Sequence, residues 1–304
     1  MTARLRISIV TPSYNQVPFL KECLLSVKEQ SCPAIEQIVM DGGSTDGSAE
    51  LLREFSARPG WPHLRWFSEC DRGQSDALNK AFRMANGDII GWLNSDDFYL
   101  QGCFASVAEH FQRHPDTDVL YGDYFWTDLD RNPLQLRREI GFSKFVLSHG
   151  HVNYIQSSGA VFLSRRIIDE GHFLDEGYQY AMDYEYFLRL ASCGYKFCHI
   201  SAILCGFRWH PQSKTSAHTD KQFVEHEKAR HANLMRQRKP TVFGESRIGL
   251  ACLRGLADGR RWAEKALRGY YFSQYFPGRI VKSIGPLHFE PSYGGSTRAN
   301  DSSS

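Results

Sequence analysis

Short apolar runs alternate with helical patterns along the first part of the chain. Four runs rich in β-branched and aromatic residues predict strands at residues 6–10, 35–40, 64–67 and 88–93. Between them, apolar residues recur at helical spacing over residues 19–27, Asp46 can cap a helix that runs through Phe55, and residues 73–85 read as a further helix. This alternation predicts an α/β fold with a doubly wound, mostly parallel sheet and helices on both faces.

Polar residues follow each of the four predicted strands. Ligands of doubly wound sheets bind beyond the carboxyl ends of the strands, so these residues are the first candidates for a site. They are Tyr14 and Asn15, Asp41, the segment 69–73, and Asp96 with Asp97. For any one of these loops, the alternative is that its Asp, Asn and Gly residues simply form a turn. Five of the carboxylates would lie at one sheet edge: Asp41, Glu69, Asp71, Asp96 and Asp97. They would raise one another's pKa unless a cation is present, and this favours a functional site over a set of ordinary turns.

The Asp96-Asp97 doublet follows the apolar strand that ends at Leu93 and is the strongest candidate for binding a hard divalent ion. Mg²⁺ or Mn²⁺ prefers oxygen ligands and takes one or two carboxylates, leaving its other positions to water and phosphate oxygens. A diphosphate is the natural partner of such an ion, which would stabilise negative charge on a departing phosphate group. An ordinary Asp-Asp turn is the alternative.

The pattern becomes less regular after Val119. Residues 159–163 predict a buried strand, residues 183–190 a helix that opens with Asp183 in its first turn, and residues 196–200 another strand. After residue 215 the chain becomes helical and basic.

Composition places the chain among ordinary globular proteins. Its 304 residues are 42% hydrophobic and 23% charged, which excludes disordered, collagen-like and disulfide-scaffold classes. The sequence contains no run of 18 apolar residues, so we expect no membrane-spanning helix. The N-terminal apolar stretch ends at Thr11-Pro12, which is too early for a signal peptide. The eight cysteines form no C-x-x-C pair, so we expect reduced thiols and a cytoplasmic protein. The zinc alternative, using Cys193, Cys198, Cys205 and His210, has irregular spacing.

Several motifs in order resemble those of glycosyltransferase family 2. They are Thr11-Pro-Ser-Tyr-Asn, Asp41-Gly-Gly-Ser-Thr-Asp-Gly, Glu69-x-Asp-x-Gly-x-Ser-Asp-Ala-Leu-Asn-Lys, Gly91-Trp-Leu-Asn-Ser-Asp-Asp and Met182-Asp-Tyr-Glu-Tyr-Phe-Leu-Arg-Leu. The resemblance covers roughly residues 6–215 and implies a GT-A (Rossmann-like) fold. It also implies inverting transfer of a sugar from a nucleotide-diphosphate donor, with a UDP-sugar as the first expectation. A nicotinamide-dependent oxidoreductase is excluded, because no G-x-G-x-x-G follows the first strand.

The resemblance assigns roles residue by residue. It implies that the donor nucleotide is bound by Pro12, Tyr14, Asn15, Asp41, Arg72 and Asp76. It places Asp96 at the donor ribose or sugar and Asp97 at a Mn²⁺ or Mg²⁺ ion with the diphosphate, with His210 as a further candidate near that metal. Asn94 stands where some relatives have the first Asp of Asp-x-Asp.

The same resemblance points to Asp183 as the base that deprotonates the acceptor hydroxyl. The preceding acid of the family's pair is replaced here by Met182, Glu185 is the second candidate base, and an N-terminal helix cap is the alternative role of Asp183. The segment Gln156-Ser-Ser-Gly-Ala resembles the family's segment beneath the acceptor. Four aromatic residues are candidates for stacking on sugar rings: Trp126, Tyr154, Tyr178 and Tyr180.

A near-neutral total charge hides an acidic body and a basic tail. Residues 1–227 carry a net charge of −7 and residues 228–304 one of +9. In residues 228–282, 13 Lys and Arg residues are interleaved with apolar residues, among them Ile248, Leu250, Leu253, Leu256, Trp262, Leu267, Tyr270, Tyr271 and Phe272. This pattern predicts a helix on an anionic membrane surface, and a solvated helical cap on the catalytic domain is the alternative. Nucleic acid would also attract such a tail, but no recognised nucleic-acid module accompanies it, so we expect no nucleic-acid partner.

We therefore predict a GT-A catalytic domain over residues 1–215, with a nucleotide-binding half to about residue 125 and an acceptor half after it. Residues 216–304 are predicted to form a basic helical extension with a flexible end. The expected activity is metal-dependent sugar transfer to a glycan or lipid-linked acceptor, in the cytoplasm or on the cytoplasmic membrane face. A non-catalytic protein of the same fold that binds sugar nucleotides is the alternative.

Overall fold

The computed structural model describes residues 5–32, 36–151, 153–210, 213–214, 219–237 and 246–271. A single sheet forms its centre, and helices pack on both sides of it. Nine strands in the described part of the chain make up the sheet: β1 (Ile7–Ser13), β2 (Glu36–Asp41), β3 (Leu64–Ser68), β4 (Ile89–Trp92), β5 (Phe98–Tyr99), β6 (Val119–Thr127), β7 (Pro133–Arg137), β8 (Val161–Ser164) and β9 (Phe197–Arg208).

The strands lie in the order β3-β2-β1-β4-β8-β6-β9-β5, with β7 paired to the outer part of β6. Strands β1 to β4 pair in parallel, as do β6 and β9, whereas β5, β7 and β8 run antiparallel to their neighbours. The carboxyl ends of β1, β2, β3 and β4 therefore meet at one edge of the sheet, and the loops that follow them are neighbours there.

The described helices are α1 (Val17–Lys28), α2 (Ser48–Ala57), α3 (Gln74–Met84), α4 (Cys103–Arg113), α5 (Lys144–His149), α6 (Arg165–Asp169), α7 (Met182–Cys193), α8 (Thr219–Gln237) and α9 (Arg247–Leu267). Adjacent residues of β1 show that both sheet faces are covered: Ile9 packs in one cluster with Cys23 of α1 and Phe104 of α4, and Val10 packs in another with Leu78 of α3. All seven residues of β1 are buried, as expected of a central parallel strand.

Asp46 joins the beginnings of two helices. Its Oδ1 accepts the backbone N–H of Ser48 at 3.0 Å, and its Oδ2 accepts the backbone N–H of Val17 at 2.8 Å. The carboxylate thus satisfies free amides at the N-termini of α2 and α1, where a negative charge is favourable. This fixes the loops after β1 and β2 against each other.

The structure confirms the α/β fold with helices on both faces of one sheet. The four predicted strands correspond to β1 to β4, although predicted residue 35 lies outside the described residues. The predicted parallel arrangement holds for six strands, and three antiparallel strands make the complete sheet mixed. The predicted strand at residues 196–200 is longer, because β9 continues through two register irregularities to Arg208.

Helices α8 and α9 pack against the sheet domain. Helix α8 lies along α7, and α9 lies against α5. None of the described helices is long and apolar enough to cross a membrane. Residues 272–304, which include the predicted flexible end, lie outside the described residues.

Candidate functional site

A cleft of about 960 Å³ opens at the carboxyl ends of β1 and β4. Four of the sequence-predicted site residues line it: Pro12, Tyr14, Asp96 and Asp183. The opposite wall comes from His151, from the segments 153–158, 179–183, 207–209 and 213–214, and from helix α8. The predicted extension therefore contributes residues to the cleft. The cleft brings together the two carboxylates, Asp96 and Asp183, that the sequence placed in different halves of the protein.

The loops after β1, β2 and β3 form one end of the cleft. Tyr14 is 63% exposed there, close to Gly42 and Asp71. A Cβ added to Gly42 would lie 2.7 Å from Asp71 Oδ2, so only glycine fits this close approach without a shift. Asp71 Oδ1 accepts the backbone N–H of Gly73 at 2.8 Å, which fixes the start of α3. This end of the cleft therefore combines the exposed ring of Tyr14 with the Asp71 carboxylate, whose position is fixed by its hydrogen bond.

Asn15 and Asp41 shape the loops at this end of the cleft. Asn15 has a positive φ of 52°, its backbone N–H donates to Ser44 Oγ at 2.8 Å, and its Oδ1 accepts the N–H of Thr45 at 2.9 Å. The buried Asp41 accepts the backbone N–H of Ser44 at 3.0 Å and the Ser68 hydroxyl at 2.6 Å. Neither side chain is among those that line the cleft.

Arg72 and Asp76 form an ion pair at 3.0 Å near the start of α3. Arg72 also reaches Glu176 at 2.9 Å, and the buried Asp76 lies 3.4 Å from Lys80 Nζ. Neither Arg72 nor Asp76 lines the cleft, although their neighbours Gly73 and Gln74 do.

The two carboxylates of the doublet face in different directions. Asp96 lines the cleft, and its Oδ2 lies 3.2 Å from His210 Nε2. Asp97 is only 1% exposed and is not a cleft residue; its Oδ1 accepts the backbone N–H of Arg208 in β9 at 2.9 Å. Burial and the neighbouring Asp96 raise the pKa of Asp97 well above its ordinary value. Asp97 therefore joins the doublet to β9, whereas Asp96 is the carboxylate that a ligand in the cleft can reach.

Asp96 and His210 form the donor pair that can hold a metal ion. A carboxylate oxygen and an imidazole nitrogen suit Mn²⁺, and oxygens of a bound diphosphate can complete the coordination. Within the described residues, no group of three or more His, Cys, Asp or Glu side chains is arranged to hold a metal ion. Of this pair, Asp96 lines the cleft, whereas His210 is 2% exposed and does not line it, so an ion held jointly with the substrate would meet the Asp96 carboxylate first.

Asp183 lies in the first turn of α7, on the far wall of the cleft. The N-cap residue is Ala181, which offers no side-chain cap, so Asp183 is not the N-cap residue, although it binds a first-turn amide of its own helix. Its Oδ1 accepts the backbone N–H of Tyr184 at 2.8 Å, and its Oδ2 accepts Asn153 Nδ2 at 3.3 Å. Burial raises the pKa of Asp183 to about 6, and these hydrogen bonds oppose the rise. Such a carboxylate is ionised at neutral pH and can still accept a proton.

The segment before Asp183 is held by Glu225 of α8. The Glu225 carboxylate accepts the backbone N–H groups of Gln179 at 3.0 Å, Tyr180 at 2.7 Å and Ala181 at 2.9 Å. Glu225 was not predicted as a site residue. Its partners lie more than 40 positions earlier, and the local sequence pattern indicates only that it lies in a helix.

Glu185, the second candidate base, is occupied elsewhere. Its carboxylate pairs with Arg189 at 2.9 Å and with Arg236 of α8 at 3.1 Å, and only 2% of its surface is exposed. It does not line the cleft.

Two of the predicted aromatic residues reach the cleft. Trp126 and Tyr180 line it, and Trp126 packs against Trp209 with ring centroids 5.2 Å apart. Tyr154 and Tyr178 are buried at 0% and 3% exposure. Gln156 and Ser158, from the segment predicted beneath the acceptor, also line the cleft.

The structure adds polar residues that the sequence analysis did not single out. Lys214 Nζ donates to Gln74 Oε1 at 3.1 Å, and Gln74 Nε2 donates to Asn94 Oδ1 at 2.9 Å. All three residues line the cleft next to Asp96. The position of Lys214, four residues after the candidate ligand His210, was the one feature of the sequence that could have pointed to it.

A family model described as glycosyl transferase family 2 matches residues 8–171 of the chain. A similar curated protein is the PGL/p-HBAD biosynthesis glycosyltransferase of Mycobacterium bovis, which is 33% identical over 117 residues. That match covers 38% of this chain and 45% of the relative, so the chain spans less than half the length of that protein.

Solved structures with a similar fold include two glycosyltransferase complexes. Residues 1–349 of TarS from S. aureus, in complex with UDP-GlcNAc, match with a TM-score of 0.59 and 16% identity over 77% of this chain and 68% of that one. The mannosyltransferase PcManGT of Pyrobaculum calidifontis, in complex with GDP-Man and Mn²⁺, matches with a TM-score of 0.61 and 18% identity over 93% and 84%. At these identities the likeness shows the fold, and it confirms the predicted GT-A architecture.

Proposed function

Because this chain belongs to glycosyl transferase family 2, we propose that it transfers a sugar, with inversion, from a nucleoside-diphosphate donor to a glycan or lipid-linked acceptor. One observation carries the proposal: Asp96, beside His210, and the partly buried Asp183 line the same cleft. A donor diphosphate can occupy the first position while an acceptor hydroxyl approaches the second.

The donor nucleotide would lie at the end of the cleft formed by the loops after β1, β2 and β3. Tyr14 offers an exposed ring on which a base can stack, and Pro12 and Gly42 line the floor beside it. The similar structures of TarS and PcManGT hold UDP-GlcNAc and GDP-Man respectively. We propose a UDP-sugar as the first donor to test. Asn15, Asp41, Arg72 and Asp76 would act by holding these loops rather than by touching the donor.

We propose that Asp96, in place of the Asp97 that the sequence favoured, binds a Mn²⁺ or Mg²⁺ ion, with the buried His210 beside it at 3.2 Å as the second candidate ligand. The bound ion would act as a Lewis acid on the diphosphate. Asp97 would support this site indirectly, since its carboxylate fixes the backbone at Arg208, two residues before His210. Lys214 lies beside Gln74 and can neutralise further negative charge at this point of the cleft.

Asp183 is our proposed general base. Its carboxylate would take the proton of the acceptor hydroxyl as that oxygen attacks the anomeric carbon, and the bond from that carbon to the diphosphate oxygen breaks with its electron pair leaving on the diphosphate. With a pKa of about 6, roughly 90% of the group is ionised at pH 7. Its hydrogen bond from Asn153 orients the carboxylate and favours the charged form.

The acceptor would lie against the aromatic wall of the cleft. The packed pair Trp126 and Trp209, with Tyr180 and Phe223, presents ring faces of the kind that sugar rings stack on. This supports a glycan or a lipid-linked sugar as the acceptor class, and hence a role in polysaccharide or glycoconjugate biosynthesis. All eight cysteines are free thiols, which is in keeping with a cytoplasmic site of action.

A panel of nucleotide sugars tests this proposal directly. The purified protein is melted with each UDP-sugar and GDP-sugar, with and without Mn²⁺, because a ligand that binds only the native state raises its apparent stability. We expect at least one donor to raise the melting temperature, and to do so more strongly with Mn²⁺. No stabilisation by any nucleotide sugar under either condition would contradict the proposed function.

A further inference from the structure

Helix α9 buries charged side chains against the protein and exposes large apolar ones, the reverse of an ordinary surface helix. Three of its basic residues face the protein: Arg261 and Lys265 contact Glu139 at 2.8 and 2.9 Å, and Arg254 contacts Glu227 of α8 at 2.6 Å. Glu139, Arg261 and Lys265 are all buried. Because leaving any of these buried charges without its partner is strongly unfavourable, the contacts fix the rotation of α9 about its axis.

The other side of α9 is apolar and open. Four large side chains there remain mostly exposed: Ile248 at 78%, Leu256 at 64%, Trp262 at 63% and Leu267 at 89%. Apart from Arg260, the exposed positions between them are small or thiol residues: Ala251, Cys252, Gly255, Gly259, Ala263 and Ala266. A Cβ added to Gly255 or Gly259 would meet no atom within 4 Å. We call these ten residues the α9 apolar face.

We propose that the α9 apolar face docks on the surface of a membrane that contains anionic lipids. Helices at a bilayer interface bury Trp and Leu side chains and are flanked by basic residues. Here Arg260, one turn after Leu256, and Arg268, at the C-cap, are exposed next to this face. The segment 228–304 also carries a net charge of +9, or +6 without Arg254, Arg261 and Lys265, which pair with Glu227 and Glu139. This positive charge attracts anionic headgroups.

A second copy of the chain fits this face less well. A helix of 21 residues is about 31 Å long and about 10 Å wide, so a contact through α9 alone would bury on the order of 600 Å² in total. Stable dimers bury about 1,200 Å² or more. A bilayer, in contrast, needs no matching partner surface and accepts an apolar strip of this size.

The structure changes the basis of the membrane prediction. The sequence pattern put both basic and apolar residues of the tail against lipid, whereas Arg254, Arg261 and Lys265 are tied to the protein and the apolar side chains are free to insert. Helix α9 also adjoins the cleft, because His151, a cleft residue, donates its backbone N–H to Asp258 of α9 at 3.1 Å. Docking would therefore hold the cleft close to a lipid surface, and it is independent of the proposed reaction.

Vesicle co-sedimentation of the full chain tests the docking. The probes are vesicles of phosphatidylcholine mixed with phosphatidylglycerol and vesicles of phosphatidylcholine alone. We expect the wild-type protein to bind the mixed vesicles, and Leu256→Glu to bind them at least tenfold more weakly, since it loses the burial of a leucine and inserts a charge. The matched control is Leu134→Glu in β7, which is 53% exposed and lies outside the α9 apolar face; it should bind like wild type.

Two results would overturn the proposal. Equal binding of wild type and Leu256→Glu would mean that any attraction is electrostatic only. A wild-type dimer in sedimentation equilibrium that Leu256→Glu dissociates, without vesicle binding by either protein, would assign the face to a second copy. Because Leu256 lies outside the cleft, donor-induced stabilisation should be the same in both proteins, which separates this test from that of the proposed function.

Discussion

Glu225 accepts the backbone N–H of Ala181 at 2.9 Å, and Ala181 is the N-cap of the helix that carries Asp183. The same carboxylate also takes the N–H groups of Gln179 and Tyr180. A residue of α8 therefore satisfies the free amides ahead of the proposed catalytic base. This contact ties α8 to the cleft.

Replacing Glu225 with Gln should slow turnover by about tenfold with little change in the KM for the donor. The variant loses the negative charge that strengthens three hydrogen bonds, so the segment before Asp183 becomes less well positioned, while the donor side of the cleft is untouched. Steady-state kinetics against donor concentration measures the split. The control is Glu227→Gln on the same helix, whose carboxylate pairs with Arg230 and Arg254 instead. An equal fall in kcat for both variants would contradict a positioning role for Glu225.

The rate of transfer should depend on pH through one ionisation near pH 6. Burial raises the pKa of Asp183, so the neutral acid persists to higher pH than in an ordinary aspartate. Only the carboxylate can accept a proton, so activity should be constant well above pH 6 and fall about tenfold per unit below it. A pH profile of kcat measures this. A flat profile between pH 5 and pH 8 would be inconsistent with the assignment.

Asn153→Ala should move that profile to higher pH. Asn153 donates to Asp183 at 3.3 Å and thereby favours the charged carboxylate, so its loss raises the pKa further. The profile should keep its shape and its midpoint should rise. A midpoint that stays in place or falls would show that Asn153 does not act on the base.

Asp96 and Asp97 should behave differently when each is changed to Asn. Asp96→Asn should weaken Mn²⁺-dependent donor binding by about tenfold or more, because the carboxylate that faces the ion is lost. Asp97→Asn should mainly lower stability, because its buried carboxylate holds the Arg208 backbone. Calorimetric titration of donor with and without Mn²⁺ distinguishes them. Loss of the Mn²⁺ effect in Asp97→Asn alone would return the metal to the position that the sequence favoured.

Glu139→Gln should lower the free energy of unfolding by about 3 kcal/mol. The change leaves the buried cations Arg261 and Lys265 without their negative partner, and removing one side of a buried ion pair is strongly destabilising. Urea unfolding measures the loss. The control is Glu109→Gln, whose pair with Arg113 is exposed and should contribute less than about 1 kcal/mol. Equal stability of the two variants would refute the anchoring of α9 through Glu139.

The nucleotide half of the fold could be predicted from sequence because central parallel strands are buried on both faces. Such strands are buried along their whole length, as Ile7–Ser13 illustrates, and are therefore rich in apolar residues, and the loops at their carboxyl ends are then neighbours. Strand β9 was predicted only in part, because its central residues are half-buried, with Ser201 exposed, where its register with β6 shifts. Pairing order also depends on contacts between distant segments, which local patterns do not contain.

The site was predictable as a set of loops but not as a set of side-chain directions. Asp96 and Asp97 are adjacent and chemically identical, and only the pairing of Asp97 with β9 decides which one faces the cleft. Glu225 was missed for the same reason. Asp183 was found because its place at a helix start is a local feature, whereas its raised pKa depends on burial in the complete fold.

The most direct test of the account is the transfer rate of Asp183→Asn, measured with a donor identified by thermal stabilisation and an acceptor that the wild-type protein uses. The amide keeps the shape of the side chain but cannot accept the proton of the acceptor hydroxyl. We predict a fall in kcat of at least a thousandfold with donor binding unchanged, while Asp130→Asn, in an exposed loop outside the cleft, keeps the wild-type rate. Turnover at the wild-type rate in Asp183→Asn would contradict the assignment of Asp183 as the base.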